Sequence, residues 1–510
     1  MLTHLRYCLS LPGFLKHPLS ADDCHAILRE GWVRREANFL AVLRASVYDD
    51  PASPYRKLLE HARCSFADVE SMVHKHGLEA TLASLSRAGV YISIEEYKGI
   101  TPVVRDGLSF RVEPASFDNP AIVPSLVVRS GGTRSHGNPT SMSFDYLTDG
   151  VAVEGVEFDE LRLRDAPYAL WFADLTTQLD ALKRGTFPAR WFYPPSTRRN
   201  AMAARFTVAV GRMLGHRIAW PEPTRVTDAH RVARWLADTR AASRPGVLFT
   251  NASSAVRVVL AAREHALDIS GSHFLTGSEP LTPARAREIR AAGCTVTAHY
   301  ATIEAGIIGC GCRHATGDEM HVIGSRAALV ERVREIGRTG VTVSAALLTT
   351  LLPSAPKIFI NVETGDYLRL AVRACGCRFD EIGFTQHISE VRSYEKLTSE
   401  GMTYFAGDLA AIVEDVLPAR FGGSALHYQA VEGEDAAGFS RIRIVISPDV
   451  GAVDETAVIE TILDALSRGG APDRRLAQVW REAGTLQVER DEPHATKRGK
   501  VFPFHVAPPR

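Results

Sequence analysis

Between residues 120 and 370, strand-like runs alternate with helical ones, and no other feature constrains the fold as tightly. Residues 246–250 read as a strand, 252–264 as a helix, 273–275 as a strand, 283–292 as a helix and 295–297 as a strand. A β-α-β-α rhythm predicts an α/β domain built on a mainly parallel sheet. The residues before it, up to about 120, read as helical, with apolar positions at helix spacing through 21–43 and 66–88 and a turn at Pro51 and Pro54. Near residue 390 the texture turns polar. Beyond it, 408–417 reads as a helix, 441–447 as a β-branched strand and 455–467 as another helix. These runs predict a boundary near 390 with a small α+β domain behind it.

Composition removes several function classes. Lys+Arg and Asp+Glu both number 59, so the 510-residue chain carries no net charge. That argues against a broad electrostatic footprint for nucleic acid or an anionic membrane. No apolar run approaches the length of a membrane span, and the first residues lack a signal-peptide core. The eight cysteines do not suggest a disulfide scaffold in so long a chain. The expectation is a cytoplasmic protein with reduced thiols; oligomeric state is left open.

A strand-like run at 122–128 leads into Ser130-Gly131-Gly132-Thr133-Arg134-Ser135-His136-Gly137-Asn138-Pro139-Thr140. Glycines admit an anion close to the backbone, successive N–H groups form an anion-binding concavity, and hydroxyls add donors. The loop suits phosphate, although such a loop is often only a turn. It lacks the Gly-Lys-Ser/Thr of a Walker loop and the spacing of the dinucleotide fingerprint. Two further clusters, Cys310-Gly311-Cys312-Arg313-His314 and Cys375-Gly376-Cys377, suit a tetrahedral zinc site if the fold unites them. Redox pairing or inert thiols are the alternatives.

Downstream of the loop, further motifs follow in order. They are Thr276-Gly277-Ser278-Glu279, His299-Tyr300-Ala301-Thr302-Ile303-Glu304, Glu363-Thr364-Gly365-Asp366, then Arg392 and Gly499-Lys500. This ordered set resembles the adenylate-forming superfamily of acyl-CoA synthetases, adenylation domains and luciferases. Within it, the chain looks most like the phenylacetate–coenzyme A ligase branch.

The resemblance implies an α/β fold with a helical N-terminal portion (1–120), a nucleotide- and acyl-binding core (121–390) and a small mobile C-terminal domain (391–510). It implies ATP-dependent activation of a small or aryl carboxylic acid as an acyl-adenylate, with transfer to a thiol such as coenzyme A. Ser130, Gly131, Gly132, Thr133, Ser135 and Gly137 would cradle the triphosphate, with Arg134 supplying charge. Gly277, Ser278 and Glu279 would pack on adenine, and Tyr300 would stack on it beside Ala301 and Thr302. Glu304 would hold Mg²⁺, although alone it reads as a carboxylate at a helix start. Asp366 would bind the ribose, Arg392 the ribose or phosphate, and Lys500 would stabilise charge at the reacting phosphorus. Phe249, Asn251, Ser253, His299 and Ile307 would line the acyl pocket, with Ala252 and Val256 nearby. Relatives that carry zinc imply Cys312, His321, Cys375 and Cys377 as its ligands, with Cys310 and His314 as rivals.

This chain departs from the family pattern at the hinge, where Val391-Arg392-Ser393 replaces a Gly-Arg followed by acidic residues, and at three further places. Ala301 replaces a glycine, Ile303 replaces a threonine, and Thr140 stands where lysine often closes the loop. The acceptor is therefore open: coenzyme A, an amine, a carrier-protein thiol or a protein cysteine. A noncatalytic nucleotide-binding relative is the third reading.

Overall fold

A computed structural model describes residues 2–129, 139–194, 197–336, 341–393, 406–434, 440–469, 474, 477–478, 480–482, 484–496 and 498–506. The loop from Ser130 to Asn138 lies outside the described residues. So do the expectations placed on Ser130, Gly131, Gly132, Thr133, Arg134, Ser135 and Gly137.

Twelve strands form one large sheet among the described residues. In spatial order, one half runs Pro221–Pro223, Arg190–Tyr193, Tyr168–Leu170, Val247–Thr250, His273–Thr276 and Thr295–Thr302. All pairings in this half are parallel. The chain builds outward from Tyr168–Leu170 in one direction, then returns to its other side at Val247–Thr250. This is a doubly wound order, and such sheets bind ligands at the carboxyl ends of strands beside the switch point. The strand side chains are almost continuously buried, as expected of parallel strands covered on both faces.

The other half is antiparallel: Gly306–Cys310, Met320–Val322, Gln386–Ser393, Val362–Val372, Val341–Thr350 and Ala327–Ile336. The seam between the halves is Thr295–Thr302. It pairs in parallel with His273–Thr276 and antiparallel with Gly306–Cys310. Its register slips between Tyr300 and Ala301, an irregularity of the kind that re-aims side chains near functional sites. Glu304 lies in the turn of this hairpin. It is not at a helix start, because the chain folds back as a strand at Gly306, whose φ is +64°.

The helix 252–264 forms at the expected positions, capped by the Asn251 side chain on the Ser254 N–H at 2.8 Å. The 455–467 helix also matches, capped by Asp454. The two long N-terminal helices expected from periodicity are each divided. The first breaks into Ala21–Val33 and Arg35–Leu43, and the second at Gly77, where φ is +80°. A hairpin, Val103–Arg105 with Leu108–Phe110, interrupts the helical region. The strand before the Gly-rich loop is Leu126–Arg129, pairing with Pro139–Met142 outside the large sheet.

Toward the C-terminus a four-stranded sheet, in the order Leu486–Arg490, Ser440–Ile446, Tyr428–Glu434 and Phe504–Val506, packs with the 455–467 helix. It has its own core, including Ile442, Ile444, Val458, Ile462 and Trp480. No described helix is long and apolar enough to cross a membrane.

Candidate active site and metal centre

Three neighbouring parallel strands end at Thr250, Thr276 and Thr302. The segments that follow carry Asn251 and Ser253, Gly277 to Glu279, and Glu304. The chain end docks on this edge. Asn251 Nδ2 donates to the Arg498 main-chain oxygen at 3.3 Å, and the Val501 N–H donates to Ser253 Oγ at 3.0 Å. Arg257 donates to the Gly499 oxygen and Arg285 to the Val501 oxygen. Lys500 Nζ donates to the Ser278 main-chain oxygen at 2.7 Å. Gly499 permits this approach: its φ is +75°, and a Cβ there would overlap Val226 Cγ1.

Tyr300 and Asp366 also meet, the phenol donating to the carboxylate at 2.9 Å. They come from the seam strand and from Val362–Val372, so an aromatic face and a carboxylate stand side by side. Thr302 accepts the Ala305 N–H at 3.1 Å and so shapes the turn, while Ala301 is exposed. Burial holds the Glu304 carboxyl above its usual range, against the pull of Lys357 and Lys98. A hard cation would reverse that shift. Arg392 gives its guanidinium to Asp318 at 2.9 Å, in a pair that no sequence motif announced.

Several expected ligand contacts are engaged elsewhere. Glu279 is fully buried and accepts from the Ser253 N–H at 2.6 Å and from Arg285 at 3.1 Å. Its carboxylate is thus engaged in the docking surface. Asn251 and Ser253 spend their polar atoms on the helix start and the chain end. Arg285 pairs with Glu414 at 2.9 Å as well, which ties the large sheet's edge to the small domain. Phe249 packs against Phe172 and His299, with ring centroids 5.1 and 5.5 Å away. Ile307 packs beside the cysteine cluster. Sequence reasoning missed Arg285, Arg257 and Glu414, because an isolated buried ion carries no local pattern.

Cys312, His321, Cys375 and Cys377 come together, with one donor atom from each lying within 4.8 Å of the others. His321 Nδ1 is 2.7 Å from the Phe384 main-chain oxygen. A carbonyl only accepts, so Nδ1 carries the proton and Nε2 faces the sulfurs. That Nε2 is 3.1 Å from Cys377 Sγ and 3.4 Å from Cys375 Sγ. Asp380 accepts the N–H groups of Cys375 and Gly376 at 3.1 and 2.9 Å and fixes the turn. The contact with Cys312, together with burial, pushes the Cys377 thiol up to about 12; burial and Cys377 push Cys375 up to about 11. Thiols crowded in this way ionise readily only around a cation, so the donor set fits a four-coordinate metal. The rival His314 is exposed on the surface, and Cys310 belongs to a different cluster with Glu157 and His299.

No protein-family model and no curated protein matches the chain. Among solved structures, it is similar to 2-hydroxyisobutyryl-CoA ligase in the postadenylation state with R3-HIB-AMP. That match has 13% identity, covers 96% of this chain and 90% of the other, and gives a TM-score of 0.54. The same ligase with 2-HIB-AMP gives 13% identity, the same coverage and a TM-score of 0.53. The chain therefore shares the overall fold of that ligase.

Proposed function

We propose that this chain, with the fold of an adenylate-forming ligase, activates a carboxylic acid with ATP and passes the acyl group to a thiol such as coenzyme A. The observation that carries this is the docking of Lys500 at the carboxyl ends of the parallel strands, on Ser278. In the reaction, a carboxylate oxygen attacks the α-phosphorus of ATP and pyrophosphate leaves. Lys500, anchored by Gly499 and the Asn251–Ser253 surface, brings an ammonium to the charge developing at phosphorus. Tyr300 offers a face to adenine, and Asp366 beside it accepts from the ribose hydroxyls. Glu304 would hold Mg²⁺, which when bound neutralises phosphate oxygens. The segment 130–137, with Arg134, is assigned to the triphosphate. Phe249 gives the acyl site an aromatic wall, which favours an aryl or small apolar acid.

The remaining assignments follow the same reading. Residues 391–510 act as the mobile unit that carries Lys500 to and from the edge. Cys312, His321, Cys375 and Cys377 hold a structural zinc, since all four positions come from protein. The Cys/His set supports the phenylacetate–coenzyme A ligase-like branch. An amine or carrier-protein acceptor is the second reading, favoured by Ile303 in place of the usual hydroxyl residue. Pyrophosphate release across a panel of acids, with and without coenzyme A, tests the proposal. Acid-dependent release with a coenzyme A thioester as product is expected. No release and no AMP with any acid would leave a noncatalytic nucleotide-binding protein.

A further inference from the structure

Behind Phe249, a second convergence of metal-ligating side chains borders the Cys312 centre as a separate donor group. The helix Phe144–Glu160 brings Glu157, the seam strand brings His299 and the strand Gly306–Cys310 brings Cys310. His299 and Cys310 are directly opposed across the antiparallel pair, so their side chains share one face of the sheet. One donor atom from each of the three residues lies within 4.8 Å of the others, and all three residues are buried.

The contacts separate two chemistries. His299 Nε2 is 2.7 Å from Glu157 Oε2 and 3.6 Å from Cys310 Sγ. A proton relay from thiol to carboxylate would use the two ring nitrogens in series. Here acid and thiol converge on the same nitrogen, which is the pattern of ligands around a shared centre. Tetrahedral zinc, with bonds of about 2.0–2.3 Å, holds nitrogen and sulfur ligands about 3.6 Å apart. The His299–Cys310 spacing meets that value, and the His299–Glu157 contact would open slightly as the cation enters. Thr297 Oγ1, 3.5 Å from the other Glu157 oxygen, is placed to orient the carboxylate from outside. Among the described residues the charged partner of the fully buried Glu157 is His299, and no Lys or Arg pairs with it; a divalent cation would supply the compensating charge without a protonated ring.

We propose that Glu157, His299 and Cys310 form a second metal site, which takes a borderline divalent cation such as Zn²⁺ and leaves one coordination position for an oxygen ligand such as water. The mixed N, O and S donors exclude a preference for Mg²⁺ or Ca²⁺, which want oxygen alone. This site does not depend on the proposed reaction.

Metal content and Zn²⁺ titration of the full-length chain, with Co²⁺ absorption as a second readout, test it. Cys310→Ser and His299→Gln should each bind one equivalent of Zn²⁺ less than the wild type. Glu157→Gln, which keeps the side-chain shape, should weaken that equivalent by at least about tenfold. Cys377→Ser should lose the other equivalent and keep this one, along with its Co²⁺ spectrum. Circular dichroism identifies variants that fold, and Glu157→Gln carries the test if Cys310→Ser does not fold. Equal Zn²⁺ stoichiometry and affinity in the wild type and the folded variants would overturn the proposal.

Discussion

Lys500 donates its ammonium to the main-chain oxygen of Ser278 across 2.7 Å, and so joins the end of the chain to the loop after the strand His273–Thr276. Ser278 adopts a left-handed backbone with φ of 70°, which costs a non-glycine residue about 1–2 kcal/mol. The strained carbonyl is thereby turned toward the lysine. Removing the side chain with Lys500→Ala should lower acid-dependent pyrophosphate exchange by at least about 10²-fold. The half-buried lysine packs little, so unfolding free energy should change by no more than about 0.5 kcal/mol. Full exchange activity in the variant would rule out the assignment.

Gly499→Ala tests the docking itself. The added methyl meets Val226 in a left-handed position, so the docked segment must shift. The expected local cost is about 1–3 kcal/mol, which would lift Lys500 from the edge. Exchange should fall as in Lys500→Ala, and protease should cut the chain end faster. An alanine variant with ordinary exchange would mean that the close approach is not needed.

Tyr300→Phe removes the hydrogen bond to Asp366 and leaves the ring. A loss of about 1 kcal/mol is expected, read as a roughly fivefold rise in KM for ATP at nearly constant kcat. Asp366→Ala should cost more, because the ribose loses its acceptor. A change confined to kcat would place these residues elsewhere in the cycle.

Chelation under reducing conditions should lower the Tm by several degrees and expose the Cys375 and Cys377 thiols to alkylation. Cys377→Ser should show the lowered Tm without chelator. If Tm and alkylation are the same with and without chelator in a metal-containing sample, the cluster has no structural role.

Acid should destabilise the fold through His273. Burial pushes its pKa down from 6.5 to about 4, while Glu157 pulls the other way and His299 adds to the fall. Its hydrogen bonds to Thr295 and Thr297, at 2.7 and 3.2 Å, suit a neutral ring. The unfolded chain therefore binds this proton first. The stability from a neutral His273 is complete above about pH 6.5 and is lost as pH falls toward 4, reaching about 3 kcal/mol at the limit. Denaturant melts at pH 7 and pH 5 should show this slope, reduced in His273→Gln. An identical slope in that variant would assign the acid sensitivity to other groups.

Much of the fold was legible because its signals are local. The 252–264 helix follows from apolar spacing and the Asn251 cap, and the strands around it from short β-branched runs. The division at Gly77 was not read, because a periodic pattern continues through one residue of positive φ. Taken alone, Glu304 reads as a carboxylate at a helix start, yet it lies in a hairpin turn, because both settings accept Thr-Ile-Glu-Ala. Glu279 is expected to pack on adenine with its segment; that its carboxylate turns inward to Arg285 is a direction only packing decides.

The sequence alone determined the alternation of strands and helices, the order of the motifs and the presence of paired cysteines, since each depends on neighbours within a few residues. Tertiary structure decided which side chains those motifs spend on holding the chain together. It brought His321 to Cys375 and Cys377, set His299 opposite Cys310 and seated Lys500 on Ser278. Each of these meetings depends on strand register and on the closure of long loops, which no local pattern records.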